Sequence, residues 1–188
     1  VPLRPRLADN AKVLQDIYIQ LDNAVANKRA ITPAAEWLLD NFYIVENQIR
    51  ELSRGLTAGF ETALPKLTDG EFARLPRVFA LVWELVEHTD SQLDLNTLVT
   101  FVKGYQRVEP LQISELWSLS LLLRVILIEN LRRIGQQVVK ARLERERANT
   151  LADGLLDLQG TESKETFDVD VFLKGLERED LTIPFAAQ

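Results

Sequence analysis

The most restrictive feature of the sequence is a run, residues 113–158, that contains no proline. A proline inside a helix removes a backbone donor and clashes with the preceding turn, so a long run without one permits a single continuous helix. At a rise of about 1.5 Å per residue such a helix would be roughly 65 to 70 Å long. Its first half is apolar on most sides. Its second half (KARLERERANTLADGLLDL) is charged, with Leu143, Leu151, Leu155 and Leu158 spaced along it. The most apolar stretch, residues 116–128, is too short to span a bilayer and is interrupted by Arg124, so it reads as a buried helix. Gly135 and Gly154 are the positions where the long helix can bend.

A long apolar helix needs other helices to cover it, and the rest of the chain supplies them. After a basic, proline-containing lead-in (residues 1–6), Val13, Ile17, Leu21 and Val25 recur at i, i+4 and predict an amphipathic helix over about 8–27. Thr32-Pro33 is a helix start, a capping hydroxyl followed by proline at the first helical position, and Gly55 ends that helix. Residues 56–75 mix short apolar pieces with Gly and Pro and read as a loop with one or two helical turns. Pro76 opens a helix to about His88 whose apolar residues cover most of its circumference, which places it centrally. Asp94 caps a further helix to about Val108, and Pro110 ends it. No solenoid repeat, hairpin alternation or βα alternation is present. The fold class is therefore all-α: an irregular helical bundle with one long C-terminal helix. Residues 1–158 form the bundle domain. Residues 159–188 form a polar linker (QGTESK) and the start of a following helical segment, with a short helix over 168–179 capped by Asp168. The Val1-Pro2 start and the apolar stub 183–188 both suggest a piece of a larger chain.

The chemistry available to the chain is narrow. A net charge of -6 argues against general nucleic-acid binding, which needs a basic face to neutralise phosphates. The chain has 0 Cys and 1 His, so disulfides, thiolate metal sites and multi-imidazole sites are excluded. There is no glycine-rich phosphate loop, no nucleophile elbow, no HExxH and no kinase signature. No catalytic residue and no metal ligand is assigned. Asp168 and Asp170 sit at a helix start, where capping competes with metal binding as an explanation. His88 at a helix C-terminus is favoured by the helix dipole, with a ligand contact as the alternative. Trp37, Trp83 and Trp117 lie in apolar helical stretches and suit either core packing or an aromatic platform for sugars. Arg124 must find an acidic partner if buried, and Glu36, Asp40 and Glu46 are the candidates on a neighbouring helix. Glu129 and Arg133 form a further i, i+4 pair in this structural network.

Several stretches, in order, carry a family pattern: TPAAEWLLDNFYIVENQIR (32–50), LPKL (64–67), LPRV (75–78), HTDS (88–91), YQRVEPL (105–111), ELW (115–117), Leu123-Arg124 and ENLRR (129–133). Over residues 30–155 the chain resembles the region upstream of the glycosyltransferase domain in bacterial cyclic β-1,2-glucan synthases. Gln112 stands where the family more often has a capping Thr. The resemblance implies a non-catalytic helical accessory or scaffold domain on the cytoplasmic side of the inner membrane. Its implied partners are the glycosyltransferase and phosphorylase-like modules of the same chain, with no membrane span and no nucleic acid of its own. UDP-glucose and a divalent metal are implied for the parent transferase and no cofactor for this region. The alternative is an independent helical protein–protein interaction module. If glucan is contacted, the aromatics, amides and ions of His88, Asp90, Tyr105, Gln106, Arg107 and Trp117, near helix ends, are the expected surface.

Overall fold

The computed structural model describes residues 2–160 apart from Asp90, and for 153–160 it describes the helical backbone alone. The expected helix over 168–179, its Asp168 cap, the Asp168–Asp170 pair and the 183–188 stub lie outside the described residues. The described residues form five α-helices: α1 (Leu3–Ala26), α2 (Pro33–Gly55), α3 (Arg77–His88), α4 (Leu95–Gln106) and α5 (Ile113–Gly160). A 3-10 turn at Glu61–Ala63 lies in the α2–α3 loop. Among the described residues, extended backbone pairs at one isolated bridge, Lys66 with Pro76. The all-α class and the single long C-terminal helix stand as expected.

Local signals set most of the boundaries. Thr32 Oγ1 accepts a hydrogen bond from the Ala35 N–H at 3.3 Å, with Pro33 opening α2. Asp94 Oδ1 accepts from the Thr97 N–H at 2.9 Å, and Asp94 Oδ2 from the Thr97 hydroxyl at 2.5 Å. The N-terminus of α1 departs from expectation. The residues read as a lead-in are helical from Leu3, because the Leu3 N–H donates to Glu61 Oε1 at 2.8 Å. That carboxylate comes from the α2–α3 loop and satisfies an orphan donor that no local side chain caps.

Helix α5 has 48 residues and is about 72 Å long. It is the spine on which α1, α2 and α3 pack. Arg6 meets Glu129, Ile17 lies against Gly135 and Arg29 meets Glu146, so α1 runs parallel to α5. Gly55 lies against Leu121, and Arg124 meets Gln48 and Glu51, so α2 runs antiparallel to it. Arg77 meets Glu115 while Ser91, just beyond α3, meets Asn130, so α3 is parallel again. The main core joins Leu7, Leu14, Ile17 and Leu21 of α1, Leu38, Phe42, Val45 and Leu52 of α2, Val78, Phe79 and Val82 of α3, and Leu122, Val125 and Ile126 of α5. A smaller core of Leu81, Val102 and Leu111 seats α4. Gly135 matters as a point of approach: a Cβ built there would lie 3.0 Å from Ile17 Cδ1. Along α5 the buried positions Glu115, Ser118, Leu122, Val125 and Ile126 trace one stripe. Trp117 lies off it.

Candidate functional site at the foot of α5

A dense polar cluster lies where α3, α4 and α5 meet. It is assembled by loop backbone. The Leu67 N–H donates to Leu75 O at 3.0 Å, the Arg74 N–H to Leu67 O at 2.9 Å, and the Arg77 N–H to Pro65 O at 2.8 Å. These bonds fix the first residue of α3, so the Arg77 side chain starts from a set position. Its guanidinium donates through Nε to Glu115 Oε1 at 2.7 Å and through Nη2 to Glu115 Oε2 at 2.8 Å. Nη2 also donates to Pro110 O at 3.0 Å, and Nη1 donates to Glu109. The Tyr105 hydroxyl reaches Glu109 Oε2 at 3.3 Å.

Glu115 is fully buried. It accepts the two-pronged bond from Arg77 and a third bond from the Gln112 N–H at 2.9 Å. The last is the return half of a capping box: the third residue of α5 satisfies the donor of the residue before the helix. Gln112 in place of Thr therefore leaves α5 capped through Glu115. Burial pushes the Glu115 carboxyl up, but the hydrogen bonds from Arg77 and Gln112 and the Arg77 charge outweigh it and hold the pKa below the ordinary value. The same pairing raises the Arg77 pKa. Burial, then the Glu109 charge, raise that of Tyr105. A carboxylate with a lowered pKa and three donors is a poor proton shuttle. The cluster's chemistry is positional: it clamps α3, the α4–α5 turn and the first turn of α5 into one rigid corner.

The corner displays apolar side chains to solvent. Trp117 is 82% exposed, Ile113 67% and Val108 89%. Ile113 and Trp117, four residues apart, share a helix face. Tyr105 and Gln106 are half-buried nearby in the chain, and Arg107 is exposed. Trp117 thus has the exposure an aromatic platform needs, and the core-packing expectation fails for it. Trp37 is also exposed, at 56%, on the rim of an apolar cleft of about 260 Å³ lined by Leu131, Ile134 and Val138. Trp83 alone of the three tryptophans packs against the core.

The expected convergence of three segments is corrected by the topology. Because α3 is parallel to α5, His88 lies at the level of Asn130, the partner of Ser91, and not of Trp117. That is some thirteen helical residues, about 20 Å, along the spine. His88 is exposed and pairs with Glu84 of its own helix at 3.4 Å. Asp90 lies outside the described residues.

The structural network is also rearranged. Arg124 Nη1 donates to Gln48 Oε1 at 3.3 Å and Glu51 Oε2 at 3.0 Å, at the rim of the bundle. Glu36, Asp40 and Glu46 lie exposed on the outer surface of α2 and take no part in the ion pairs found among the described residues. Glu129 is held by Arg6, Nε to Oε2 at 2.6 Å and Nη2 to Oε1 at 2.5 Å, and not by Arg133, which turns outward to Asn130 Oδ1 at 2.8 Å. Arg6 wins because its fork meets the carboxylate with both nitrogens while its carbon lies 5.5 and 5.6 Å from the Phe79 and Trp83 ring centres. Sequence reasoning missed Arg77, Glu109 and the role of Glu115. The signal present was the spacing Gln112-x-x-Glu115 before an apolar run.

Among the described residues there is no group of His, Cys, Asp and Glu that could hold a metal ion, and no helix long and apolar enough to cross a membrane. No protein-family profile matches the chain. The chain is similar to the cyclic beta-(1,2)-glucan synthase NdvB of Rhizobium meliloti (strain 1021), 40% identical over 167 residues, which is 89% of this chain. It spans 6% of the length of that relative.

Proposed function

Because the chain is homologous to a segment of a cyclic beta-(1,2)-glucan synthase, we propose that it serves as a helical, non-catalytic accessory region of such an enzyme. The carrying observation is 40% identity extending over 89% of the chain. In this reading the parent is a transferase that polymerises glucose from UDP-glucose, with its divalent metal and catalytic carboxylates in other modules. The region sits on the cytoplasmic side of the inner membrane, scaffolding the glycosyltransferase and phosphorylase-like modules. The foot of α5 is its contact surface. The engaged Arg77–Glu115 pair makes the corner rigid, and the exposed Trp117 offers a flat face to the C–H surface of a sugar ring or to a neighbouring module. Tyr105, Gln106 and Arg107 supply hydrogen-bonding groups beside it.

Deleting residues 30–155 from a full-length synthase tests the reading. Glucan formed from labelled UDP-glucose is measured in membranes, with the protein level quantified in the same preparation. Loss of glucan at an equal protein level is expected, and undiminished synthesis would overturn the accessory role. Measurable UDP-glucose turnover by the isolated chain would overturn its non-catalytic character. For the sugar contact, the chain is titrated with linear β-1,2-glucan oligosaccharides. Amide shifts around 105–107 and 113–117 are expected, and Trp117→Ala should remove them. Shifts clustered elsewhere would move the contact.

A further inference from the structure

The outward surface of α2 carries a pattern that the bundle does not use. Opposite the buried stripe of this helix, the exposed residues Glu36, Asp40, Tyr43, Asn47, Arg50 and Arg54 follow one another at spacings of 4, 3, 4, 3 and 4. That is the heptad alternation of a helix seam that packs against another helix. Its composition is ordered: two acids, then a tyrosine and an asparagine, then two arginines. None of the four charged residues takes part in the ion pairs found among the described residues. Arg50 donates through Nη1 to Asn47 Oδ1 at 3.0 Å, a neutral partner on its own helix. The helix dipole accounts for Glu36 in the first turn and Arg54 in the last. It does not account for Asp40 and Arg50, because its effect falls off within one turn. Within α2 both ends of the seam are unfavourable, since each sets two like charges four residues apart.

We propose that this stripe is the contact between two copies of the chain, joined by their α2 helices in antiparallel register about a two-fold axis. The register follows from the positions of the charges. An antiparallel pair centred on residue 45 sets Glu36 opposite Arg54 of the other copy, Asp40 opposite Arg50, and Tyr43 opposite Asn47. Residue 45 is the midpoint of all three pairs, so one axis satisfies them together. A two-fold contact is isologous: each pair recurs with the copies exchanged, and every charge on the stripe gains an opposite one. A parallel pair in register would set acid on acid and arginine on arginine, so the charges select the antiparallel course. The Tyr43 side chain, in a residue 64% exposed, stands near the centre, where interfaces concentrate their energy. Trp37 and Ile44, 56% and 42% exposed, border the stripe on one flank and add apolar surface. The stripe is about 27 Å long, a single helix pair, so the contact belongs among small, reversible interfaces. It goes beyond the contact at the foot of α5 and does not depend on it.

The test is sedimentation equilibrium of the whole 188-residue chain over a concentration series at low and high salt. A monomer–dimer equilibrium that weakens with salt is expected. Glu36→Lys/Asp40→Lys makes the charges of the stripe uniformly basic, and Arg50→Glu/Arg54→Glu makes them uniformly acidic. Each double variant should weaken self-association by about tenfold or more, because the facing pairs at both ends become repulsive. The first variant moves the net charge of -6 toward zero, so general charge repulsion predicts the opposite result for it. An equimolar mixture of the two variants restores an opposite charge at every pair and should dimerise as well as the native chain. A circular dichroism spectrum checks that both variants keep their helices. A native chain that stays monomeric at millimolar concentration, association indifferent to both reversals, or a mixture that stays as weak as its components overturns the proposal.

Discussion

The two halves of α5 are one continuous helix held by different physics. Residues 113–139 carry the buried stripe of Leu122, Val125, Ile126 and Val139, and two arginines from other helices grip them, Arg77 at Glu115 and Arg6 at Glu129. Residues 140–151 carry pairs within the helix, Lys140 with Glu144 at 3.8 Å and Arg142 with Glu146. Burial of a side chain such as Leu122 contributes about 1.5 to 3 kcal/mol, whereas an i, i+4 helix pair contributes about 0.3 to 0.5 kcal/mol. Helical form by itself therefore says little about where stability resides. The first half is fixed by tertiary contacts and the second mainly by local ones.

Four measurements test this contrast. The largest effect is expected at the foot. Glu115→Ala takes from the Arg77 guanidinium, which is only 15% exposed, its buried two-pronged partner, leaving it the rim carboxylate of Glu109 and Pro110 O, and removes the return bond to Gln112. Breaking a buried pair this way costs about 3 to 5 kcal/mol. Thermal unfolding should shift down by many degrees, and a shift of a degree or two would mean that solvent takes over from the carboxylate. Next is Leu122→Ala at a fully buried position, with about 2 to 5 kcal/mol lost in denaturant titration. Leu143→Ala in the distal half, 44% exposed, should cost well under 1 kcal/mol. Equal losses at the two leucines would erase the distinction between the halves.

The third is the pH dependence. The folded-state pKa of Glu115 lies below the ordinary glutamate value, so in the range between the two the unfolded chain binds more protons than the folded one. The stabilisation from Glu115 is complete above the unfolded value and is lost as pH falls through the depressed folded value. Chemical denaturation at a series of acidic pH values should show a stability slope in the native chain that is shallower in Glu115→Gln. Parallel slopes would exclude Glu115 as its source. The smallest effect is expected for Arg124→Leu. Its Glu51 partner is 56% exposed and Arg124 itself 39%, so the pair contributes about 0 to 1 kcal/mol. A melting shift of many degrees would show that Arg124 is a bundle anchor after all.

The helices were legible because their signals are local. Thr32-Pro33, Gly55, Asp94 and the unbroken run after Ile113 each mark a boundary through chemistry confined to a few neighbouring residues. The start of α1 was not, since its cap is Glu61, 58 residues away. Nor were the exposures of Trp37 and Trp117. Residues 116–128 are apolar on most sides, so the pattern names no single buried face, and only the arrival of α1, α2 and α3 selects the stripe through Leu122 and Ile126.

The candidate site divides the same way. Residue type marks Tyr105, Gln106, Arg107 and Trp117 as chemistry-bearing, and nearness to a helix end is all that groups His88 with them. The parallel course of α3 and α5 carries His88 about 20 Å along the spine, away from the corner. Arg77 looked unremarkable beside Arg124, yet Arg77 meets a buried carboxylate and Arg124 meets the rim.

By itself, then, the sequence determined the all-α class, most helix starts and stops, and the uncommon length of α5, because propensity, capping and proline act over one or two turns. The tertiary structure alone decided which arginine is buried, which tryptophan faces water and which carboxylate each cation meets. Those outcomes depend on which faces of separate helices are pressed together, and residues far apart in the chain carry no local record of that choice.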